Sequence, residues 1–243
     1  MRTIRCFVDL ELIVGKEILL PEITSNHLVR VLRLELGDTF HLFNGDGCEF
    51  LAKLSGIEKK HSKALIISVQ SINTESPLKI HLYQSIARGE KMDLILQKAT
   101  ELGVTAFTPM VSDRTEVKLD NERSEKKLNH WQGVIRSACE QSGRSIVPTL
   151  NLPIGIKHLS VNHHSAQAYY LEPKAEFRIK SLHINCAEEI ILAIGPEGGF
   201  TERDIELLQI AKFQGICAGP RILRTETAGI AFIAALQSQF GDW

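Results

Sequence analysis

Two stretches near the C-terminus have the residue types and spacing to do chemistry. One is Ile194-Gly195-Pro196-Glu197-Gly198-Gly199; the other is Gly219-Pro220-Arg221-Ile222-Leu223-Arg224-Thr225-Glu226-Thr227-Ala228. A carboxylate sits among the glycines of the first, and two arginines precede a glutamate in the second. Arginine can hold a phosphate or a base carbonyl by paired hydrogen bonds, and a carboxylate can accept a proton. Each stretch follows an apolar run and leads into a helix-like pattern, so each is a strand-to-helix turn with side chains trimmed away and backbone N–H groups left free. In open α/β sheets such turns lie at the carboxyl ends of strands, where ligands bind. Two of them in one sheet suggest a small polar molecule held mainly by backbone.

Neither stretch matches Gly-x-Gly-x-x-Gly or the phosphate loop ending in Gly-Lys-Ser/Thr, which disfavours a nicotinamide dinucleotide or a nucleoside triphosphate. Plainer readings stand beside these. The first stretch could be a tight turn alone, and the second a helix start with Glu226 at the positive end of the dipole. Three further groups have two readings each, balanced for the first two and with solvation favoured for the third. Glu140-Gln141-Ser142-Gly143-Arg144 reads as a helix C-terminus with Gly143 just past its end and Arg144 solvated, or as a functional segment. Glu101-Leu102-Gly103-Val104 with Asp113-Arg114 carries the same two readings. Arg30 and Arg33 are two solvated arginines or a nucleic-acid contact.

These groups must be positioned by two kinds of element. The first seventy or so residues read mostly as strands. Thr39 to Phe43 and Cys48 to Leu54 flank a hairpin turn at Asn44-Gly45-Asp46-Gly47, and Ala64 to Val69 is another strand. One short helix interrupts them, capped by Thr24 or Ser25, with Leu28, Val31 and Leu32 at helical spacing. The polar stretch Asn73-Thr74-Glu75-Ser76-Pro77 reads as a linker. Beyond it strands and helices alternate, which means a parallel α/β sheet. The expected strands are Leu78 to Tyr83, Ala168 to Leu171, Ile190 to Ile194 and Ile216 to Ala218. The expected helices are Lys91 to Leu102, Glu122 to Gln141, one from a capping box at Thr201 through Phe213, and a last one opened by Thr225 or Thr227.

Bulk composition narrows the class. The chain has 243 residues, 44% hydrophobic and 23% charged, enough for one large or two modest domains of ordinary globular type. No apolar stretch approaches a membrane span, and the N-terminus lacks a secretory core, so an intracellular, cytoplasmic protein is the simplest reading. Five scattered cysteines with no Cys-x-x-Cys pair argue against disulfides and a structural zinc site, so no metal is expected. His163-His164 reads as part of a solvated loop. Net charge is −1, and residues 1–72 carry nine basic and nine acidic residues. Global charge therefore gives no support to nucleic-acid binding, and any RNA contact needs basic groups gathered locally.

Taken together, five stretches resemble the RsmE family, the 16S ribosomal RNA uridine N3-methyltransferases of the SPOUT class. They are His27-Leu28-Val29-Arg30-Val31-Leu32-Arg33, Lys98-Ala99-Thr100-Glu101-Leu102-Gly103-Val104, Glu140 to Arg144, Ile194 to Gly199 and Arg221 to Ala228. They occur in the family's order and span nearly the whole chain. One departure is Ala218-Gly219, where the family usually has Leu-Gly. The resemblance implies an N-terminal PUA-like β-barrel for RNA over residues 1–72. It implies a SPOUT methyltransferase domain with a trefoil knot over 73–243, a homodimer, and S-adenosyl-L-methionine as cofactor. The knot rests on the resemblance alone, since chains as a rule do not thread loops.

Carried over residue by residue, the resemblance places the cofactor against Leu171, Glu172, Ile194, Gly195, Pro196, Glu197, Gly198, Gly199, Gly219, Leu223, Arg224, Thr225 and Ala228. The partner it implies is 16S ribosomal RNA or the small ribosomal subunit, met by Arg30, Arg33, Arg114 and Arg144. Methylating uracil N3 requires loss of the imide proton, which spreads negative charge onto both carbonyl oxygens. Arg224 is the first candidate to stabilise that charge. Glu226 or Glu197 is the candidate proton acceptor; a helix N-terminus favours the charged form of Glu226 and weakens it as a base, which makes orienting Arg224 its alternative role. The rival functions are a methyltransferase of transfer RNA or of a ribose hydroxyl, and a non-catalytic RNA-binding protein. An NAD-dependent oxidoreductase lacks its fingerprint.

Overall fold

The computed structural model describes residues 3–58, 60–116, 121–160 and 166–243, the side chains of 121–123 excepted. The histidine pair at 163 and 164 lies outside the described residues. The chain divides into two compact units: Met1–Glu75 with Arg136–Val147, and Ser76–Ile135 with Pro148–Trp243.

The first unit holds β1 (Arg5–Phe7), β2 (Glu17–Leu19), α1 (Glu22–Asn26), β3 (Thr39–Phe43), β4 (Cys48–Ile57) and β5 (Ser62–Ser71). The sheet order is β1-β3-β4-β5-β2, with β1 parallel to β3 and the other pairs antiparallel. Period-two alternation sends Phe40, Leu42, Phe50, Ala52, Leu54, Ala64 and Ile66 into one core, while Lys53 and Leu65 face out. The short helix departs from expectation. It starts at Glu22 after Pro21, so Thr24 and Ser25 are buried within it instead of capping it, and Ser25 Oγ bonds Ser62 Oγ at 2.7 Å. It then widens into a π-helical turn over His27–Val31, where the Leu32 N–H donates to the His27 carbonyl at 2.9 Å. That widening breaks the helical spacing. Leu28 is buried, but Val31 and Leu32 are 67% and 39% exposed.

Buried charge ties this unit to the end of the long helix. Arg5 pairs with Glu49, which also meets His41 Nδ1 at 2.6 Å. Its other guanidinium N–H groups donate to the carbonyls of Cys139 (2.7 Å), Glu140 (3.3 Å) and Arg144 (3.2 Å) and to Ser145 Oγ (3.1 Å). Those carbonyls include ones that a helix C-terminus leaves without intrahelical partners.

The second unit contains β6 (Ile80–Ser85), α2 (Lys91–Glu101), β7 (Ala106–Val111), most of α3 (Asn121–Ser142), β8 (Thr149–Leu150), β9 (Ile154–Gly155), β10 (Ala166–Leu171), β11 (Glu189–Ile194), α4 (Glu202–Ile210), β12 (Gln214–Ile216) and α5 (Thr225–Phe240). The sheet runs β12-β10-β11-β6-β7-β8, with β9 also on β7, and every pair is parallel. The expected alternation is present, with shifts. The first strand begins two residues late, α4 stops at Ile210, and the strand expected at Ile216 to Ala218 lies at Gln214–Ile216. Buried Met92, Ile95, Leu96 and Ala99 form the inner face of α2, which packs on α5. Thr201 and Asp204 cap α4 reciprocally, as their spacing predicts.

Candidate active site

The carboxyl ends of β10, β11 and β12 open on one cavity of about 440 Å³. Leu171 and Glu172 line it from the end of β10, and Ile194 to Gly199 line it from the turn after β11. Leu223, Thr225 and Ala228 line it from the entry to α5. Gly219 and Arg224 do not line it, although their neighbours Ala218 and Leu223 do. Pro173, Lys174, Phe200, Arg221 and Ile222 complete the wall together with Arg114.

Glycine is required in this turn for two reasons. Gly199 has φ 69°, and its N–H closes a turn onto the Pro196 carbonyl at 2.9 Å. A Cβ on Gly195 would lie 3.2 Å from the Phe200 backbone nitrogen. The turn is then tied to the start of α5: Thr225, 5% exposed, donates its hydroxyl to the Gly195 carbonyl at 2.6 Å and accepts from Gln84 Nε2 at 3.0 Å. Gln84, at the end of β6, is buried; its Nε2 also donates to the Ser85 carbonyl, and its Oε1 has no partner. One strand end, one glycine turn and one helix start are thus locked by two hydrogen bonds.

Beside the lock sits a carboxylate pair with a cation between its members. Lys91 Nζ lies 3.2 Å from Glu197 Oε1 and 3.8 Å from Glu226 Oε2. Glu197 also accepts the Arg88 backbone N–H at 3.2 Å. Burial pushes the Glu197 carboxyl up, but hydrogen bonds from its own and the Arg88 backbone N–H and from Lys91 outweigh that and hold it below the usual range. Glu226 differs. Its Oε2 is buried with no hydrogen-bond partner, the Lys91 ammonium being at ion-pair range only.

The predicted RNA contacts fall in different settings. Arg30 and Arg33 are exposed on the first unit, and Arg33 has φ 57°, a strained value for a residue with a side chain. Arg114 is exposed on the second unit and donates from Nη1 to the Gly198 carbonyl at 2.6 Å. Arg144 is not solvated, which rules out one of its two readings. It is 3% exposed, and its Nε and Nη2 grip both oxygens of Glu75 within the first unit. Sequence reasoning missed Lys91, Gln84 and Arg88. Lys91 was visible only as a helix start and Gln84 only as a strand residue, and neither carries a motif.

Residues 74–237 match the family model described as an RNA methyltransferase domain, and residues 21–67 match that of an RNA methyltransferase PUA domain. Fold and site thus fall in the class of RNA methyltransferases that carry a PUA domain. The chain is 32% identical over 240 residues to the ribosomal RNA small subunit methyltransferase E of Buchnera aphidicola subsp. Acyrthosiphon pisum, covering 98% of this chain and 94% of that one. It is 31% identical to the protein of the same name from Bacillus subtilis, with 88% and 87% covered. It superposes on the crystal structure of ribosomal RNA small subunit methyltransferase E from Neisseria gonorrhoeae bound to S-adenosyl methionine with TM-score 0.92, at 37% identity and 100% coverage of both chains. The chain belongs to the ribosomal RNA small subunit methyltransferase E family.

Proposed function

We propose that this protein methylates N3 of a specific uridine in the 16S ribosomal RNA of the small subunit, with S-adenosyl-L-methionine as methyl donor. The observation that carries this reading is the cavity at the strand ends, built from the glycine turn and the α5 entry, in a chain of this family. Its size and lining fit the donor. Leu171, Ile194, Leu223 and Ala228 offer apolar walls to the faces of an adenine, and the turns offer backbone to its edges and to the ribose. Bound there, S-adenosylmethionine supplies a methyl group on a positively charged sulfur.

The chain's own residues then align uracil and handle its proton. Arg224 is exposed at the first position before α5, and we assign it to hold the uracil oxygens as they gain charge. Glu197 already accepts two hydrogen bonds on one oxygen and is held charged below the usual range, which makes it a weak base. Glu226 Oε2 has a lone pair without a partner, so we assign it the N3 proton. Lys91, between the two carboxylates, is a positioning residue. Placement of N3 against the methyl group supplies a large share of the rate.

The second unit is read as a SPOUT-type domain with a trefoil knot, over residues 73–243. The parallel order β12-β10-β11-β6 and the return of the α5 start onto Gly195 support it. Residues 1–72 are read as a PUA-like β-barrel, supported by five strands over one apolar core. Arg30, Arg33 and Arg114 are its and its neighbour's candidates for RNA phosphate. Exposed Phe177 and Ile222 on the second unit offer apolar surface that a second copy could cover in a homodimer. Among the described residues no helix is long and apolar enough to cross a membrane; with a ribosomal substrate, we read the site of action as the cytoplasm.

The test is mass spectrometry of 16S ribosomal RNA from cells lacking the protein, followed by restoration with the purified enzyme and donor. One N3-methyluridine should vanish and return. Unchanged modification in the deletion strain would overturn the reading. Near-normal turnover in Arg224→Ala, Glu226→Gln and Glu197→Gln alike would remove the residue roles.

A further inference from the structure

A second cavity, of about 620 Å³, lies wholly within the first unit. Its walls are the start of β1 and the two residues before it, the π-helical turn, and the last turns of α3. We propose that this cavity takes one unstacked nucleoside of the ribosomal RNA, held by its base. The proposal rests on the RNA-methyltransferase reading above and adds a subsite to it.

Four observations carry it. First, Ser142 lines the cavity, and its hydroxyl is buried with no hydrogen-bond partner. Such a group costs free energy unless something satisfies it. Second, the wall mixes apolar Ile4 and Leu32 with the polar side chains of Gln141, Ser137 and His27. That mixture suits a flat base, apolar on its faces and polar at its edge, and single-stranded RNA is recognised by such splayed-out bases.

Third, among the described residues the cavity has no free arginine or lysine for a phosphate. Arg5 reaches it, but a guanidinium has five N–H donors, and Arg5 directs them to Glu49, three carbonyls and Ser145 Oγ. Glu140 adds a carboxyl, whose Oε1 accepts the Phe7 N–H at 2.9 Å. Burial pushes that carboxyl up, while the Phe7 bond and the neighbouring His27 and Arg5 pull it back. Among the described residues a phosphate would meet no spare guanidinium or ammonium there, whereas a base edge needs none. Fourth, the wall is built with strain. π-helical turns concentrate at functional sites, and this one opens on His27, runs to Leu32 and is followed by Arg33 at φ 57°.

The test measures binding of an unmodified 16S ribosomal RNA transcript over a range of salt concentrations. The variants are Ser137→Phe, which fills the cavity from an exposed wall position, and Ser142→Ala, which removes the orphan hydroxyl. Calorimetry with S-adenosylmethionine and thermal melting run alongside. Loss of a base contact should weaken RNA binding about tenfold in Ser137→Phe and a few-fold in Ser142→Ala. The slope of log affinity against log salt should stay unchanged, because no phosphate contact is lost. Donor affinity should equal wild type. Ser142→Ala keeps the test decisive if Ser137→Phe melts early. Undiminished RNA binding by both variants overturns the proposal, and so does a loss that comes with a shallower salt slope. A wild-type protein that binds the donor and the RNA while the variants bind equally well sinks this subsite alone. A wild-type protein that binds neither sinks the function with it.

Discussion

The two ends of the parallel sheet carry buried polar groups of opposite kinds. At the amino end His81 Nε2 meets Thr108 Oγ1 at 2.8 Å, Asn151 Nδ2 donates to Thr108 Oγ1 at 3.0 Å, and His81 Nδ1 faces Glu189 at 3.6 Å. The polar atoms there are used up on one another. Three residues further along the same strand, Gln84 Oε1 has no partner, and neither does Glu226 Oε2 nearby in the site. A buried acceptor left unpaired costs about 1–3 kcal/mol. Along β6 the polar group at the amino end is satisfied, and the one near the cavity keeps an open lone pair. The carboxyl end is therefore the working end on energetic grounds as well as topological ones.

The sharpest break in that comparison comes from the site's charges. Arg224→Ala should lower the methyl-transfer rate by about 10²–10³, the usual cost of one oriented donor to a developing oxyanion. The exposed side chain should leave melting almost unmoved. Glu226→Gln should slow transfer comparably while leaving stability unchanged or slightly higher, because it removes a carboxylate with a buried orphan oxygen. Single-turnover transfer and melting curves on the same preparations check both. A variant that loses stability in step with rate would assign these residues to the fold instead.

The amino end should answer to pH and not to ligand. Burial pushes the His81 imidazole down to about 4 from its ordinary 6.5. Native His81 therefore stays neutral where the unfolded chain takes up a proton. Its contribution to stability is complete above pH 6.5 and is lost progressively as pH falls toward 4. The loss over that window is up to about 3 kcal/mol. Urea unfolding between pH 4 and 7 should show the slope in wild type and a flatter one in His81→Phe, with donor affinity at pH 7 equal in the two. Equal slopes would remove His81 from the account.

Thr225→Val tests the lock itself. It breaks the link from Gln84 through Thr225 to the Gly195 carbonyl and leaves both partners unsatisfied in a buried place. The glycine turn should loosen, and donor affinity should fall about tenfold, the equivalent of one hydrogen bond with its unpaired remainder. Calorimetry measures it. Thr225→Ser keeps the hydroxyl and should restore affinity; failure of that rescue would mean that the lost contact was packing and not the hydrogen bonds.

How far the sequence reached follows from what each element depends on. The hairpin at Asn44 to Gly47, the α2 face and the Thr201 capping box were legible because their signals are local. The glycine turns were legible as strand-to-helix turns, and one cavity gathers nearly all the residues named around them. The π-helical turn was hidden, since the same apolar spacing fits an α-helix until the extra residue is seen. β7 was missed: Pro109 breaks the pattern of Ala106–Val111, although the strand is central in pairing β6 and β8. The fate of Arg144 depends on Glu75, sixty-nine residues away, and no local rule joins them. Lys91 was hidden in the same manner, because Glu197 lies 106 positions from it.

Lys91 gives the smallest and most discriminating effect. Its ammonium is about one-third exposed and bridges a carboxylate that is already well bonded to one that is not. Solvent screening keeps such a contact weak as a source of stability. Its value is in fixing where Glu226 points and in keeping Glu197 charged. Lys91→Met should therefore leave melting and donor KM near wild type and lower kcat only a few-fold. The Glu197 carboxyl should titrate higher than in wild type once the ammonium is gone, a change readable by NMR of labelled glutamate. Lys91→Arg restores a cation in the same place and should recover both kcat and the Glu197 titration. If Lys91→Met changed KM for the donor and left kcat alone, Lys91 would be a wall of the donor pocket, and the open lone pair on Glu226 would need a different neighbour to aim it.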